Sequence, residues 1–130
     1  MTQSRWEKNR EHWNETLDAR NLDADARGDF LREVALYETK DVRVGLAYLE
    51  PLYIRRVRDL GGGLGQASYL FAQRGARVVI CDISIRRCIE AKRVLTDLGY
   101  GDRVECVVAS SECLPFADES LQRVWTKSVL

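Results

Sequence analysis

Asp59-Leu60-Gly61-Gly62-Gly63-Leu64-Gly65-Gln66 places four of the chain's nine glycines in five positions, directly behind a carboxylate. Glycine lets a ligand approach the backbone without meeting a Cβ, and a helix that starts behind such a loop offers free N–H groups. A second acid, Asp82, closes an apolar run 17 residues after Gly65. A carboxylate there can accept hydrogen bonds from both hydroxyls of a ribose. The glycines at 61, 63 and 65 read G-x-G-x-G, whereas a dinucleotide fingerprint, G-x-G-x-x-G, wants Gly or Ala at the position of Gln66. A phosphate-binding loop ending in Gly-Lys-Ser/Thr does not occur. The spacing predicts a ligand whose ribose lies beside the loop.

Other chemistry is sparse. Cys81, Cys88, Cys106 and Cys113 never form C-x-x-C, and His12 is the sole histidine, so no zinc spacing exists and no metal site is expected. The thiols are expected to be reduced and to pack as small hydrophobes. His12 sits among charged and aromatic residues and is a poor partner for a serine or cysteine nucleophile. No general base stands out, so the catalytic residues are unknown at this stage.

The loop needs a strand before it and a helix after it. Arg56 to Leu60 supplies the strand, and Ala67, Leu70 and Phe71 mark one face of a helix that Gly75 stops. Ala76-Arg77-Val78-Val79-Ile80-Cys81-Asp82 is a second buried strand. Ser84 can cap the next helix, whose apolar stripe is Ile85, Cys88, Ile89, Leu95 and Leu98 before Gly99. Arg86, Arg87, Lys92 and Arg93 fall mostly off that stripe, on an expected solvated face. Val104 to Val108 is a third strand, and 121–129 contains a fourth. Alternating strands and helices predict a parallel sheet. Before residue 54 the texture is helical: Trp6, Trp13 and Leu17, then Ala26, Phe30, Val34 and Tyr37, then Val42, Leu46, Leu49 and Tyr53, with Pro51 ending or kinking the last of these. The expected division is an N-terminal helical cap, 1–53, and a ligand-binding half domain, 54–130.

Composition bounds the partners. The 130 residues are 45% hydrophobic and 31% charged, and 20 basic residues cancel 20 acidic ones. The broad electrostatic footprint of a nucleic-acid or membrane-surface protein is missing, which makes a small molecule the default partner. No apolar segment suggests export or membrane insertion, so a cytoplasmic location is expected.

With these motifs in order, residues 54–130 resemble the class I S-adenosylmethionine-dependent methyltransferases, especially the small-molecule enzymes typified by those of quinone biosynthesis. VRDLGGGLG resembles the family's first motif, VVICDIS its second, and VVASSECLPFADESLQRVWTKSVL a third stretch. The resemblance implies an α/β, Rossmann-like sheet in strand order 3-2-1-4, with N-terminal helices, and S-adenosylmethionine as cofactor. It places Asp59 near the methionine amino group and Gly61, Gly62, Gly63 and Gly65 along the methionine and ribose. Asp82 would hold the ribose hydroxyls and Ile83 would face the adenine. Glu112 and Leu114 would lie near the adenine rim, and Ser110 and Ser111 belong to the same cofactor-binding set. Methyl transfer is an in-line displacement, to which a protein contributes mainly orientation and a dry site.

Several residues depart from the family pattern. Ser110 stands where an acid usually reads the adenine amino group. Arg58 lies in an expected central strand, where a guanidinium must find a carboxylate or solvent. Gln122 and Arg123 bring polarity to the fourth strand. The family sheet has seven strands in order 3-2-1-4-5-7-6, and strands 5–7 have no counterpart here. An open strand 4 flanked by Val124, Trp125, Val129 and Leu130 invites pairing with another chain. The expectation is a truncated methyltransferase, the cofactor-binding part, completed by a homo- or hetero-oligomeric partner. The alternative is an inactive paralogue that regulates or stabilises a full-length enzyme. Trp6, Trp13 and Tyr37 are candidates for a lid.

Overall fold

The computed structural model describes residues 4, 7, 8, 10, 11, 26–110 and 123–126. Four parallel strands, β1 (Arg56–Leu60), β2 (Arg77–Asp82), β3 (Val104–Val108) and β4 (Arg123–Thr126), form one sheet in the order β3-β2-β1-β4. This is the expected order, with β1 in the interior. Four helices accompany it: α1 (Ala26–Tyr37), α2 (Lys40–Leu49), α3 (Gln66–Gln73) and α4 (Ile85–Asp97). Among the described residues, no helix is long and apolar enough to cross a membrane.

The core forms where the strands' alternating side chains meet the helices. Val57, Val78 and Val104 stand side by side in register, each at most 1% exposed, and Phe71, Ala91 and Leu95 of α3 and α4 cover them. Phe30 and Val34 of α1, and Val42 and Leu46 of α2, join the same cluster. Burial of such side chains contributes about 1.5–3 kcal/mol each relative to exposure. Edge-to-face rings extend the packing from Phe30 to Tyr69, 5.8 Å between centroids, and from Tyr69 to Tyr100, 5.7 Å.

Local signals explain the element ends. Thr39 caps α2 by accepting from the Val42 N–H, and α2 stops at Leu49, two residues before Pro51. Ser84 caps α4 by accepting from the Arg87 N–H at 3.2 Å. Ser4 and Glu7 form a reciprocal capping box at a helical start near the N-terminus. Trp6, Trp13, Leu17 and His12 lie outside the described residues.

Three expectations need correction. Tyr53 is not on the stripe of the third helix; it lies beyond α2 and is 71% exposed. Ile85 and Ile89 are 53% and 61% exposed, because α4 turns Cys88, Ala91, Val94 and Leu95 toward the sheet and leaves these isoleucines on its flank. The small Ala91 lets the helix approach closely, and an apolar stripe drawn from large residues alone misses it. Lys92 is not on a solvated face: half-buried, its Nζ donates to the carbonyls of Gly101 and Val104 and closes the turn between α4 and β3.

β4 is held from the helical side. Trp125 Nε1 donates to the Tyr37 hydroxyl at 2.9 Å, and its ring meets Phe71 edge-on at 5.5 Å. Arg123, placed by sequence where apolar residues are usual, donates from Nε to the Leu49 carbonyl at 2.7 Å. That bond gives the guanidinium one acceptor and ties β4 to the end of α2. Arg58 is 8% exposed beside Cys81, whose thiol is pushed up to about 11 by burial while the nearby guanidinium opposes the shift.

Candidate functional site

The carboxyl ends of β1 and β2 carry the glycine loop and both acids. Gly61 donates its N–H to the Cys81 carbonyl at 2.7 Å, which locks the loop to β2 as it leaves β1. Gly65 then turns into α3 with φ 92°, a left-handed conformation that favours glycine at the helix N-cap. Gly62 is required for space: a Cβ there would lie 2.8 Å from the Asp59 Cγ and 2.8 Å from Ile80 Cγ2. The loop therefore lies directly on Asp59.

Asp59 is 2% exposed and accepts a 2.7 Å hydrogen bond from the hydroxyl of Ser68, which is itself wholly buried. Burial pushes the Asp59 carboxyl up to about 7; the Ser68 bond works against that shift and the nearby Asp82 carboxylate adds to it. A carboxyl that changes charge near neutrality is thus stored under the loop. Ser68 went unnoticed in the sequence, although a polar side chain on the inward stripe with Ala67, Leu70 and Phe71 was its signal.

Asp82 is held from two sides. Its Oδ2 accepts the Gly63 N–H at 2.9 Å and its Oδ1 accepts the Ser84 N–H at 2.9 Å. Each carboxylate oxygen retains acceptor capacity for another donor. The Gly63 bond fixes the loop's position relative to β2, and Ser84 caps α4, so one side chain organises three elements. Ile83, beside it, is half-buried, as is Ser110 just past β3. Ser111, Glu112, Cys113 and Leu114 lie outside the described residues.

Arg87 also reaches this place. A Cβ on Gly63, whose φ is 57°, would collide with the Arg87 guanidinium. Arg87 is half-buried over the loop, where the sequence reading had put it on a solvated helix face. Its neighbour Arg93 conforms to that reading, pairing with Glu90 and Asp97 along α4. Spacing alone does not separate the two arginines; only the turn of α4 onto the loop does.

The N-terminal helices border the site. Gln66, at the position that excludes a dinucleotide fingerprint, donates to Glu33 of α1 at 3.0 Å. Tyr37 lies close enough to Asp59 to feel its charge; burial raises its phenol pKa, the Trp125 bond opposes this and Asp59 adds to it. Among the described residues no group of three or more His, Cys, Asp or Glu side chains could hold a metal ion. Cys106 Sγ sits 3.3 Å from the Cys88 carbonyl oxygen, and Cys81, Cys88 and Cys106 are free thiols.

A parallel sheet in this order, with a glycine loop after β1 and a fixed carboxylate after β2, defines a Rossmann-like nucleoside-binding protein. Comparison with known proteins makes the class specific. Residues 57–130 match the methyltransferase domain family. The chain is 37% identical over 71 residues to the ubiquinone/menaquinone biosynthesis C-methyltransferase of Hahella chejuensis, covering 52% of this chain and 28% of that protein. It is 33% identical over 94 residues to the tRNA 5-carboxymethoxyuridine methyltransferase of Escherichia coli K12, covering 72% of this chain and 34% of that one. Among solved structures, geranyl diphosphate C-methyltransferase from Streptomyces coelicolor A3(2), in complex with Mg2+, geranyl diphosphate and S-adenosyl-L-homocysteine, superposes with TM-score 0.72 at 16% identity, covering 97% of this chain and 55% of that one. The chain belongs to the class I S-adenosylmethionine-dependent methyltransferase family. It spans about a third of the length of these two curated relatives.

Proposed function

We propose that this chain binds S-adenosylmethionine across the carboxyl ends of β1 and β2 and forms the cofactor-binding part of a small-molecule methyltransferase. The observation that carries the reading is Asp82, buried yet fixed through both oxygens beside a loop cleared of Cβ atoms. In this reading Asp82 accepts from the ribose hydroxyls, and Gly61, Gly62, Gly63 and Gly65 run along the ribose and methionine. Asp59 lies nearest the methionine ammonium, and Ile83 packs against the adenine. Ser110, Ser111 and Glu112 line the adenine rim. When bound, the cofactor supplies a sulfonium methyl group open to in-line attack by an acceptor. The chain's own share is orientation and exclusion of water.

The acceptor is a small molecule in this proposal, supported by the even charge balance and by a relative named for quinone biosynthesis. Residues 1–53 act as a helical cap on the 54–130 cofactor-binding part, and the protein works in the cytoplasm. β4 is paired to β1 and lies at the edge of the four-stranded sheet, with Val124 40% exposed. An open strand edge of this kind is completed by further chain, from another copy or a different subunit, and that completion supplies the rest of the acceptor pocket.

Titration calorimetry with S-adenosylhomocysteine tests the cofactor assignment. Saturable binding that is lost in Asp82→Ala is expected; a folded protein that binds none overturns it. Size-exclusion chromatography tests completion by a partner, which a stable and active monomer would contradict.

A further inference from the structure

Two of the cysteines meet between α4 and β3. Cys88 ends the first turn of α4 and is 3% exposed, and Cys106, midway along β3, is half-buried. Strand alternation puts Cys106 on the same face of the sheet as Val104, two residues before it, and that face packs against α4. The Cys106 thiol donates to the Cys88 carbonyl at 3.3 Å, and the two thiols are hydrogen-bonded to each other. Cys81 is placed differently. Its register partner is Val107, so its side chain leaves the sheet on the opposite face.

The pair is asymmetric. The bond from Cys88 holds the Cys106 thiol below its ordinary value and the Lys92 ammonium assists, while burial, Glu105 and Asp82 oppose them. The Cys88 thiol is pushed up by the same bond and by burial. Lys92 follows Cys88 by one turn of α4, and the Gly101 and Val104 carbonyls fix its Nζ 3.9 Å from a Glu105 carboxylate oxygen. A half-buried thiol beside a cation is the more reactive kind, and a neighbouring thiol can resolve what it forms. Cys81, 2% exposed and raised to about 11, is the protected thiol.

We infer that Cys88 and Cys106 are a modification site, a dithiol that hydrogen peroxide converts to an intrachain disulfide whose closure weakens cofactor binding at Asp82. The Cys106 thiolate attacks one peroxide oxygen, the O–O bond breaks, and the leaving hydroxide takes up the thiol's proton as water. The Cys88 sulfur then displaces the hydroxyl of the resulting sulfenic acid, forming the S–S bond and releasing a second water with the Cys88 proton. Two thiols lose two electrons in all, and the peroxide gains them.

Both cysteines are linked to Asp82 through short bonded paths. Val108, two residues after Cys106, is the register partner of Asp82, and the Ala109 N–H donates to the Asp82 carbonyl at 3.0 Å. From the other side, the Cys88 N–H donates to the Ser84 carbonyl at 3.1 Å, and the Ser84 N–H donates to Asp82 Oδ1 at 2.9 Å. A disulfide brings its sulfurs to about 2.05 Å, well inside the separation of two hydrogen-bonded thiols. Closure therefore draws the first turn of α4 toward β3 and displaces the Ser84 N–H from the Asp82 carboxylate. The effect on binding rests on the reading of Asp82 as the ribose acceptor; the disulfide does not.

The full chain treated with a small excess of hydrogen peroxide tests the assignment by intact mass and non-reducing peptide mapping. A product about 2 Da lighter is expected, with the Cys88 peptide linked to the Cys106 peptide and released by dithiothreitol. Calorimetric titration of the oxidised chain should give an S-adenosylhomocysteine dissociation constant about fivefold weaker or more, restored on reduction. Cys106→Ser should abolish both the mass change and the effect of peroxide on affinity while its circular dichroism spectrum matches the parent. If that variant does not fold, the map of the unsubstituted chain decides the disulfide by itself. A map that joins Cys106 to Cys81 or Cys113, Cys106 oxidised to sulfinic acid with Cys88 free, or an unmodified Cys106 overturns the proposal. Equal affinity in the oxidised and reduced forms overturns the coupling to Asp82. A reduced chain that binds no S-adenosylhomocysteine overturns the cofactor reading instead, and the mass test still decides the dithiol.

Discussion

The Ser68 hydroxyl donates to Asp59 Oδ2 at 2.7 Å beneath the glycine loop, with both side chains at most 2% exposed. The bond joins the carboxyl end of β1 to the first turn of α3, and through it the loop's acid is held in orientation. Ser68 is a positioning residue: it acts on the site through Asp59.

Stability should fall as pH rises through the range in which Asp59 would ionise. Its carboxyl is raised from an ordinary 3.8 to about 7, chiefly by burial. The folded chain therefore keeps a proton that the unfolded chain releases, and stability drops between about pH 4 and 7 and levels off above. The drop is at most about 4 kcal/mol. Asp59→Asn should remove this component, so urea midpoints of the two proteins should converge or cross on going from acid to neutral pH. Parallel pH profiles would count against the assignment.

Cofactor affinity should rise over the same range. If the methionine ammonium needs Asp59 ionised, only the ionised fraction is competent, and the dissociation constant of S-adenosylhomocysteine should be about tenfold weaker at pH 6 than at pH 8. Binding near pH 6 should release a proton, visible as a buffer-dependent calorimetric enthalpy. Ser68→Ala removes the bond that favours the ionised form, so the midpoint of the affinity profile should move to higher pH. A purely structural role for Ser68 would lower stability without moving that midpoint.

Gly62→Ala tests the space above Asp59. The added Cβ would sit 2.8 Å from Asp59 Cγ and Ile80 Cγ2. Overpacking of this sort costs about 1–3 kcal/mol. Thermal unfolding should show the loss, and S-adenosylhomocysteine affinity should fall with it because the loop and Asp59 must separate. Unchanged stability would mean that the loop does not rest on Asp59.

Asp82→Asn keeps the size of the side chain but replaces one accepting oxygen by an NH2 group, which then faces the N–H of Gly63 or Ser84. Loss of a charge-assisted bond and creation of that clash should weaken cofactor binding by about 1.5–3 kcal/mol, roughly 10- to 150-fold. Asp82→Glu should not rescue it, since both oxygens are already fixed by backbone donors. Full affinity in Asp82→Asn would move the ribose contact elsewhere.

Much of this arrangement was legible because glycine and acid positions are punctuation with few physical meanings. Gly61 to Gly65, Asp59 and Asp82 meet at one end of the sheet as their spacing implied; the alternation carried the parallel sheet, and the strand order is the one the family resemblance implied. What spacing could not carry was direction around a helix. Arg87 and Arg93 are both cations on α4, yet one lies over Gly63 and the other pairs along the helix surface. Ile85 and Ile89 read as core because their size outweighs Ala91, whose small side chain is what allows close packing. Tyr53 read as helix because apolar spacing continued past Leu49, and nothing local revealed that the backbone would turn its ring outward. Arg123 read as a misplaced charge, since its acceptor, the Leu49 carbonyl, is 74 residues away in sequence.

The bond between Tyr37 and Trp125 spans 88 residues. During synthesis the helices that precede β1 emerge before the strand that anchors them, and a loop this long must close before the contact rewards it. A nascent chain thus carries α1 without its anchor while the 88 residues up to Trp125 are added, leaving the surface that Trp125 will cover open to chaperones until β4 arrives.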